Sequence, residues 1–309
     1  MKLSEIFSDF LIAKEIEEGC SSSTIRAYSY DLKILQRELE DPLLINIKIF
    51  HIRKVLKIFY DKKYTKQAIA RKIACYKSFF NFCYENEIIS KNPMKAIKSP
   101  KIRPEESLPK FLSKQDVREI LEFLNENKSI PYTSRMRLTI IIRLLYASMA
   151  RISEICSLKV LDVDLNQNLI KVRGKGNKER FIPIDLQTIN LLKIQIDNRS
   201  LITSDKSSFL FVNKRGTQLK PRTIQQDIKN LKYLLGYSKD KKLTPHIFRH
   251  TGATHLRQNG MDISELQDIL GHSSTNTTKI YAKNDLKRLT KSYSHYHPLG
   301  AINEEKKNL

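Results

Sequence analysis

The chain has 309 residues, 40% of them hydrophobic, which is enough to bury two ordinary hydrophobic cores. Its 55 Lys and Arg residues exceed its 33 Asp and Glu residues, and the resulting net charge of +22 indicates a polyanionic partner, by default a nucleic acid. The sequence shows no apolar run long enough to span a bilayer, no signal peptide or lipidation motif and no closely spaced cysteine pair, which excludes membrane-spanning, lipid-anchored and disulfide-framework proteins. We therefore expect a cytoplasmic protein without a membrane partner.

Residues 1–92 are predicted to form a helical domain. Within residues 23–39, for example, Tyr28, Leu32 and Leu35 recur at steps of four and three, which is typical of the buried face of a helix. Basic side chains fall on other faces, so we expect one basic surface on this domain. Helices are predicted at residues 3–18, 23–39, 46–61 and 65–87.

Residues 93–110 are predicted to be a basic, Pro-rich linker. They contain four of the chain's ten prolines, at positions 93, 100, 104 and 109. Prolines at this density prevent a helix and favour an extended segment. The segment could lie along phosphates and join two halves of a DNA clamp, and a plain linker fits the composition equally well.

The second predicted domain, residues 111–309, begins with helices. Ser113, with Asp116 three residues later, is a suitable helix cap. Apolar spacing predicts one helix from there to about residue 127 and a largely apolar one at residues 133–148. Arg151 follows the second helix, and Glu154 is placed where a carboxylate can orient a neighbouring guanidinium. Taken alone, such an arginine is more often an ordinary surface residue.

Between residues 160 and 184 the spacing of apolar residues changes from that of a helix to that of β-strands. Apolar residues on both sides of Gly174-Lys-Gly-Asn-Lys178 predict two strands joined by a Gly-rich turn that contains Lys175. The order of Gly, Lys and Ser/Thr does not match a nucleotide-binding loop, so an ordinary basic hairpin is the alternative. Two further elements are predicted, a short strand at Ser208–Val212 and a helix from Pro221 to about Leu235 with Arg222 in its basic first turn.

The next helix is predicted to begin at Thr244 and Pro245 and to end near Gly260. His246 and Arg249 are three residues apart and therefore share one face. His246 and His250 have the spacing of a metalloprotease helix, but that motif requires a Glu where Ile247 stands. We therefore expect no metal site.

A further predicted helix, capped by Asp262, ends at Gly271 and presents His272 on a loop. Tyr281 follows, between Lys279 and Lys283, where a phenol could reach a phosphate. A single His or Tyr is more often a packing residue than a catalytic one. The whole set of two Arg, two His, one Lys and one Tyr is what phosphoryl transfer without a metal requires.

Five motifs in this order resemble the tyrosine recombinase (phage integrase) family, and most closely its Xer-like members. They are Ala150-Arg-Ile-Ser-Glu154, Arg173-Gly-Lys-Gly-Asn-Lys-Glu-Arg180, His246-Ile-Phe-Arg-His-Thr251, Leu270-Gly-His-Ser-Ser274 and Tyr281. The resemblance implies a mainly α fold with a small antiparallel β-sheet, in which residues 1–92 form a SAM-like core-binding domain and residues 111–309 an α+β catalytic domain. The two domains would form a DNA clamp.

The resemblance also implies roles for individual residues. Tyr281 matches the family's nucleophile, and the matching activating residues are Arg151, Lys175, His246, Arg249 and His272, with Glu154 supporting Arg151. Lys178, Arg180 and Arg222 are candidates for DNA contacts. The chain departs from the family at Met149-Ala150, where Gly-Leu is usual, and at Ile247-Phe248, where Asp-Leu is usual.

The implied function is site-specific recombination through a 3′-phosphotyrosyl intermediate and a Holliday junction, without cofactors, as in chromosome-dimer resolution. The expected partners are inverted-repeat DNA half-sites and a homotetramer on paired sites, with a paralogous recombinase as a further option. Alternatives are an integrase, transposase or invertase of a mobile element, a type IB topoisomerase and a non-enzymatic architectural DNA-binding protein. The apolar face of a predicted last helix, with Leu286, Leu289 and Tyr293, is expected to dock on a neighbouring protomer.

Overall fold

The computed structural model describes residues 1–101, 111–174, 178–200, 208–238, 240–271 and 283–299, with the backbone alone for residues 200 and 283–287. The chain divides into two compact units, Met1–Leu108 and Pro109–Leu309. In the described residues the first unit is helical, and the second combines helices with a three-stranded antiparallel sheet. The predicted fold class, mainly α with a small antiparallel sheet, is confirmed.

Two helices of the first unit begin at capping side chains. The hydroxyl of Ser21 accepts a hydrogen bond from the backbone N of Thr24, and that of Thr65 accepts one from Ala68, which satisfies backbone groups that a helix start leaves free. The predicted stripe of residues 23–39 lies in the core. The helices are α1 (Phe7–Ile16), α2 (Ser22–Leu39), α3 (Ile49–Asp61) and α4 (Lys66–Glu85), with 3-10 turns at Leu3–Ile6 and Leu44–Asn46.

A buried ion pair links α2 to α4. Lys72 donates to Asp31 over 2.7 Å, and both side chains are almost completely buried. The Lys72 ammonium also lies over the rings of Phe59 and Tyr64 at 5.3 and 5.6 Å. The predicted linker begins inside this unit, because Met94 and its neighbour Ile97 belong to the same hydrophobic core.

The second unit packs around one long helix, Tyr132–Ala147, whose second half is buried from Ile140 onward. The apolar sequence of this half allows it to be covered on all sides by other elements. The described helices of this unit are α5 (Lys114–Glu126), α6 (Tyr132–Ala147), α7 (Ile152–Cys156), α8 (Leu186–Ser200), α9 (Pro221–Leu234), α10 (Pro245–Gln258), α11 (Ile263–Leu270) and α12 (Lys283–Tyr296).

The small sheet contains the predicted hairpin. Its strands are β1 (Val163–Asp164), β2 (Leu169–Arg173) and β3 (Glu179–Pro183), in the order β1-β2-β3. Ile170 pairs with Ile182 and Val172 with Arg180 on the buried face. The backbone N of Gly174 donates to the carbonyl of Lys178 over 2.8 Å, so the strands stay paired up to the turn.

Two elements differ from the prediction. Ser208–Val212 is not a strand, because its residues make only isolated bridges, Lys159 with Phe209 and Val212 with Gln218. Helix α8 was not predicted, although Ile189, Leu192 and Ile196 have helical spacing and pack into the core.

The last helix, α12, docks on its own unit. Leu289 and Tyr293 are buried in the core of that unit, and the phenol of Tyr293 donates to the carbonyl of Ala147 over 3.2 Å. The expectation that this face docks on a neighbouring protomer is therefore wrong for this structure. The side chain of Leu286 lies outside the described residues. Across the described ranges, we find no helix that is both long and apolar enough to cross a bilayer.

Candidate active site

Arg151 stands at the start of α7, immediately after a strained backbone segment. Met149, two residues earlier, has a φ of 49°, in the left-handed region that favours glycine. The backbone N and the Nη1 of Arg151 donate to the two carboxylate oxygens of Glu154, each over 2.8 Å. The Arg151 side chain remains 45% exposed. Its guanidinium is therefore oriented on one side and open to solvent on the other.

Glu154 is buried and carries its charge between two guanidiniums. Burial by itself would raise the pKa of Glu154, but the hydrogen bond and charge of Arg180, with the bonds from Arg151, hold that pKa below its usual value. Arg180 donates from Nη2 to Oε2 over 2.8 Å. The carboxylate is therefore ionised and fully paired.

Arg249 is brought to the same place by α10. Its guanidinium donates to the carbonyl oxygen of Met149 and, over 3.3 Å, to that of Leu270 at the end of α11. Burial, and then the positive charges of Arg151 and Arg180, lower the pKa of Arg249 to about 10. The Arg249 guanidinium is still charged at neutral pH. A nearby anion would relieve its repulsion by Arg151 and Arg180.

His246 lies in the first turn of the same helix and is exposed. The predicted helix start is confirmed, because the Thr244 side chain accepts from the backbone N of Ile247 and Pro245 occupies the first turn. His246 is thus held one turn before Arg249 by a rigid element, with its imidazole accessible to a ligand.

A cavity of about 380 Å³ lies beside Arg151. The guanidinium of Arg173 on its wall is held by Asp162 at 3.2 Å and by Glu179 at 2.8 Å. The cavity is lined by Arg151, Ser153, Glu154, Ser157, Arg173 and Gly174. Its basic wall suits a phosphate group.

Three predicted catalytic residues, Lys175, His272 and Tyr281, lie outside the described residues. The chain that leads to two of them is described. Gly174, before Lys175, closes the hairpin with Lys178, and Gly271, before His272, ends α11 with a φ of 66°. The structure thus brings together Arg151, Glu154 and Arg249 and places His246 on the same helix as Arg249.

The three candidates for DNA contacts differ in exposure. Lys178 and Arg222 are exposed, the first at the hairpin turn and the second in the first turn of α9. Arg180 is only 6% exposed and is paired with Glu154 and with the carbonyl of Ile269, which disfavours the predicted DNA contact. The reason is the strand alternation, which turns Arg180 toward the same face as Ile182.

No group of three or more His, Cys, Asp or Glu side chains is arranged to hold a metal ion in the part of the chain that the structure describes. The described site is cationic instead. One carboxylate, Glu154, faces the guanidiniums of Arg151, Arg180 and Arg249, which leaves an excess of positive charge.

Comparison with known proteins gives matches to both units. Residues 110–288 match the phage integrase family, and residues 7–87 match the N-terminal SAM-like domain of phage integrases. The tyrosine recombinase XerC of Thermodesulfovibrio yellowstonii is 34% identical over 308 residues, which cover 96% of this chain and 97% of that protein. The tyrosine recombinase XerD of Staphylococcus haemolyticus is 34% identical over 298 residues, which cover 95% of this chain and 98% of that protein.

Solved structures of DNA complexes share the fold. The Tn1549 transposon integrase with a circular intermediate DNA has a TM-score of 0.72 at 20% identity, with 100% of both chains covered. The recombinase XerH, in a post-cleavage complex with a palindromic difH substrate, has a TM-score of 0.70 at 24% identity, with 87% of this chain and 79% of that chain covered. Because the catalytic match spans more than half of the sequence and the Xer relatives match along nearly all of it, the chain belongs to the phage integrase family of tyrosine recombinases.

Proposed function

We propose that this chain is a site-specific DNA recombinase that cuts and rejoins DNA through a 3′-phosphotyrosyl intermediate and a Holliday junction. The observation that carries the proposal is the cluster of Arg151, Arg180 and Arg249 around the single carboxylate of Glu154. A DNA phosphate supplies the negative charge that this cluster lacks.

The arrangement suits the transition state better than the ground state. The pentacoordinate phosphorus carries one more negative charge than the phosphodiester, and a guanidinium can hold two oxygens in a fixed fork. We assign Arg151 and Arg249 to the two non-bridging oxygens. Each such donor contributes about 3 kcal/mol to the stabilisation of the transition state.

The remaining roles involve proton transfer. A phenol has a pKa of about 10, so ionising Tyr281 at pH 7 without help costs about 4 kcal/mol. We assign the base to His246, which is exposed at the start of α10. Lys175 protonates the leaving 5′ oxygen, and His272 donates a further hydrogen bond to the phosphate. The phosphotyrosyl bond conserves the energy of the broken ester, so the reaction uses no cofactor and no ATP.

The biological role we propose is chromosome-dimer resolution in the cytoplasm. This is supported by the names XerC and XerD of relatives that match along nearly the whole chain. In this proposal the two units clamp an inverted-repeat half-site with the basic linker between them, and four protomers, with or without a paralogue, assemble on paired sites. The resemblance of the fold to a transposon integrase leaves a mobile-element role as the alternative.

The chemistry is tested by trapping the covalent intermediate. Sheared DNA of the source organism is incubated with the protein in EDTA, the reaction is stopped with detergent, and DNA bound to the protein is recovered and sequenced. We expect adducts at the 3′ phosphate of a defined site for the wild type and for Tyr233→Phe, which alters an exposed tyrosine. Adducts that persist in Tyr281→Phe would refute the assignment.

The position of the trapped site tests the role. A single chromosomal site flanked by inverted repeats supports dimer resolution, whereas sites at the ends of a mobile element support an integrase. Relaxation of supercoiled plasmids at many positions indicates a topoisomerase. DNA binding without any adduct leaves only an architectural protein.

A further inference from the structure

Arg180 uses every nitrogen of its guanidinium inside the protein. Nη2 and Nη1 donate to the two oxygens of Glu154 over 2.8 and 3.4 Å, and Nε donates to the carbonyl oxygen of Ile269 over 2.8 Å. The side chain is 7% exposed. Its contacts therefore connect three segments that are far apart in sequence, namely β3, the start of α7 and the end of α11.

Two glycines enclose this guanidinium. A Cβ added at Gly174 would lie 3.4 Å from Nη1 of Arg180, and one added at Gly271 would lie 3.1 Å from its Cδ, Nε and Nη1. Gly271 also has a positive φ of 66°. The residues that follow these glycines in sequence, Lys175 and His272, are two of the predicted catalytic residues.

Glu154 is shared between two arginines. The oxygens that accept from Arg180 also accept from the Nη1 and the backbone N of Arg151, each over 2.8 Å. The two arginines differ in exposure, since Arg151 is 45% exposed on the cavity wall and Arg180 is buried. The buried Arg180 thus neutralises the charge of Glu154 from the protein interior. The positive charge of Arg151 is therefore available to bind an anionic ligand in the cavity.

We propose that Arg180 is a positioning residue for strand cleavage, which acts by holding Glu154 against Arg151 and by fastening the end of α11, and that it does not touch DNA. The proposal rests on the proposed recombinase function. Without Arg180, Glu154 would have Arg151 as its main counter-ion, and Arg151 would be drawn toward Glu154 and out of the geometry that the transition state requires, while its contact with the phosphate in the bound ground state remains. The carbonyl end of α11, which a cation stabilises, would lose one of its two guanidinium contacts.

The test compares Arg180→Met and Arg180→Lys with Arg143→Met in the full chain. Arg143 is the matched control because it is also a buried arginine of the second unit, 5% exposed and paired with Asp185 over 2.9 Å, and it belongs to no part of the site. The measurements are melting temperature, Kd for the trapped DNA site and the single-turnover rate of cleavage of a nicked duplex.

We expect both Met variants to lower the melting temperature and only Arg180→Met to slow cleavage, by about 10²-fold, the loss that misplacement of a reacting group by about 1 Å can cause. Kd and its salt dependence should stay as in the wild type, whereas loss of a phosphate contact would reduce the salt slope by about 1. Arg180→Lys keeps the charge and should restore part of the rate, and it remains measurable if the Met variant does not fold.

A double-mutant cycle tests the route of action. In an Arg151→Ala background, Arg180→Met should cost much less than about 10²-fold, because the residue through which it acts is gone. An unchanged cost in that background, an increase of Kd, or an equal loss of rate in Arg143→Met would overturn the proposal. A wild type that forms no Tyr281-dependent adduct refutes the recombinase function instead, so the two failures are distinguishable.

Discussion

Gly252 of α10 lies so close to the backbone carbonyl of Tyr146 in α6 that a Cβ at this position would overlap its oxygen. The same Cβ would lie 3.1 Å from the Cγ of Met149. This approach lets Arg249, one turn earlier on α10, reach the carbonyl of Met149. The packing of two helices therefore decides where the guanidinium that we propose to be catalytic lies.

The first prediction concerns this contact. Gly252→Ala should lower the free energy of unfolding by about 3 kcal/mol, because α10 must move away from α6, and it should slow cleavage as Arg249 moves with it. Urea unfolding and single-turnover cleavage are the measurements. Gly236→Ala is the control, since nothing lies within 4 Å of its added Cβ. It should lower the free energy of unfolding by only about 1 kcal/mol, because of the positive φ of 65°. Equal effects of the two changes would show that helix contact is not the cause.

The second prediction concerns the last helix. Because Leu289 is buried in its own unit, Leu289→Asp should lower the melting temperature and weaken binding to a single DNA site, beyond any effect on cooperativity. Ser294→Asp, on the exposed side of the same helix, introduces the same charge and should change neither. A Leu289→Asp protein with unchanged stability that loses only cooperative binding would place this face on a neighbouring protomer.

The third prediction concerns pH. Burial is the main cause that lowers the pKa of His297 to about 4, and its Nδ1 accepts from the backbone N of Leu299 over 3.1 Å. Between about pH 6.5 and 4 the unfolded chain binds a proton that folded His297 does not. The stability that this neutral imidazole contributes is thus present above about pH 6.5 and falls by about 1.4 kcal/mol for each pH unit below it.

Denaturant unfolding at several pH values between 7 and 4.5 measures this slope. His297→Phe, which retains a ring to stack on Tyr293, should reduce the slope of unfolding free energy with pH. Part of the slope should remain, because burial also lowers the pKa of His255. His295→Phe, on the exposed side of α12, controls for the loss of an imidazole. Parallel curves for His297→Phe and the wild type would contradict the prediction.

The fourth prediction separates the proton donor from the phosphate ligands. Replacing the 5′ leaving oxygen by sulfur should restore cleavage by Lys175→Ala, because a thiolate leaves without a proton. The same substrate should not rescue Arg151→Ala or Arg249→Ala, whose losses affect the non-bridging oxygens. If sulfur rescues none of the three variants, Lys175 is a DNA contact and not the acid.

Local signals in the sequence predicted the helix starts well. Thr244 and Pro245 mark the start of α10, and Asp262 and Gly271 mark the two ends of α11, because caps depend on the backbone groups of one turn. The missed helix α8 carried a signal of the same kind, since Asp185 accepts from the backbone N of Thr188 at its start.

Long-range contacts explain what local patterns did not predict. The prediction treated Arg180 as a surface cation, although period-two alternation along β3 leaves Phe181 on the outer side and Arg180 on the inner side. Its partners from distant segments, Glu154 and the carbonyl of Ile269, make a buried guanidinium stable there. The left-handed backbone of Met149 is another such case, because its side chain is fully buried and packs where the family usually has a glycine.

The docking of α12 limits how far Tyr281, the proposed nucleophile, can move from its own unit. Tyr281 precedes the first residue of this helix, Lys283, by two positions, and two peptide units span at most about 7.6 Å. Leu289 and Tyr293 fasten the helix to the same unit that holds Arg151 and Arg249. Tyr281 is therefore only two residues from a helix that is packed into the hydrophobic core. Any larger displacement of Tyr281 from this unit requires the first turns of α12 to unwind or Tyr293 to leave the core.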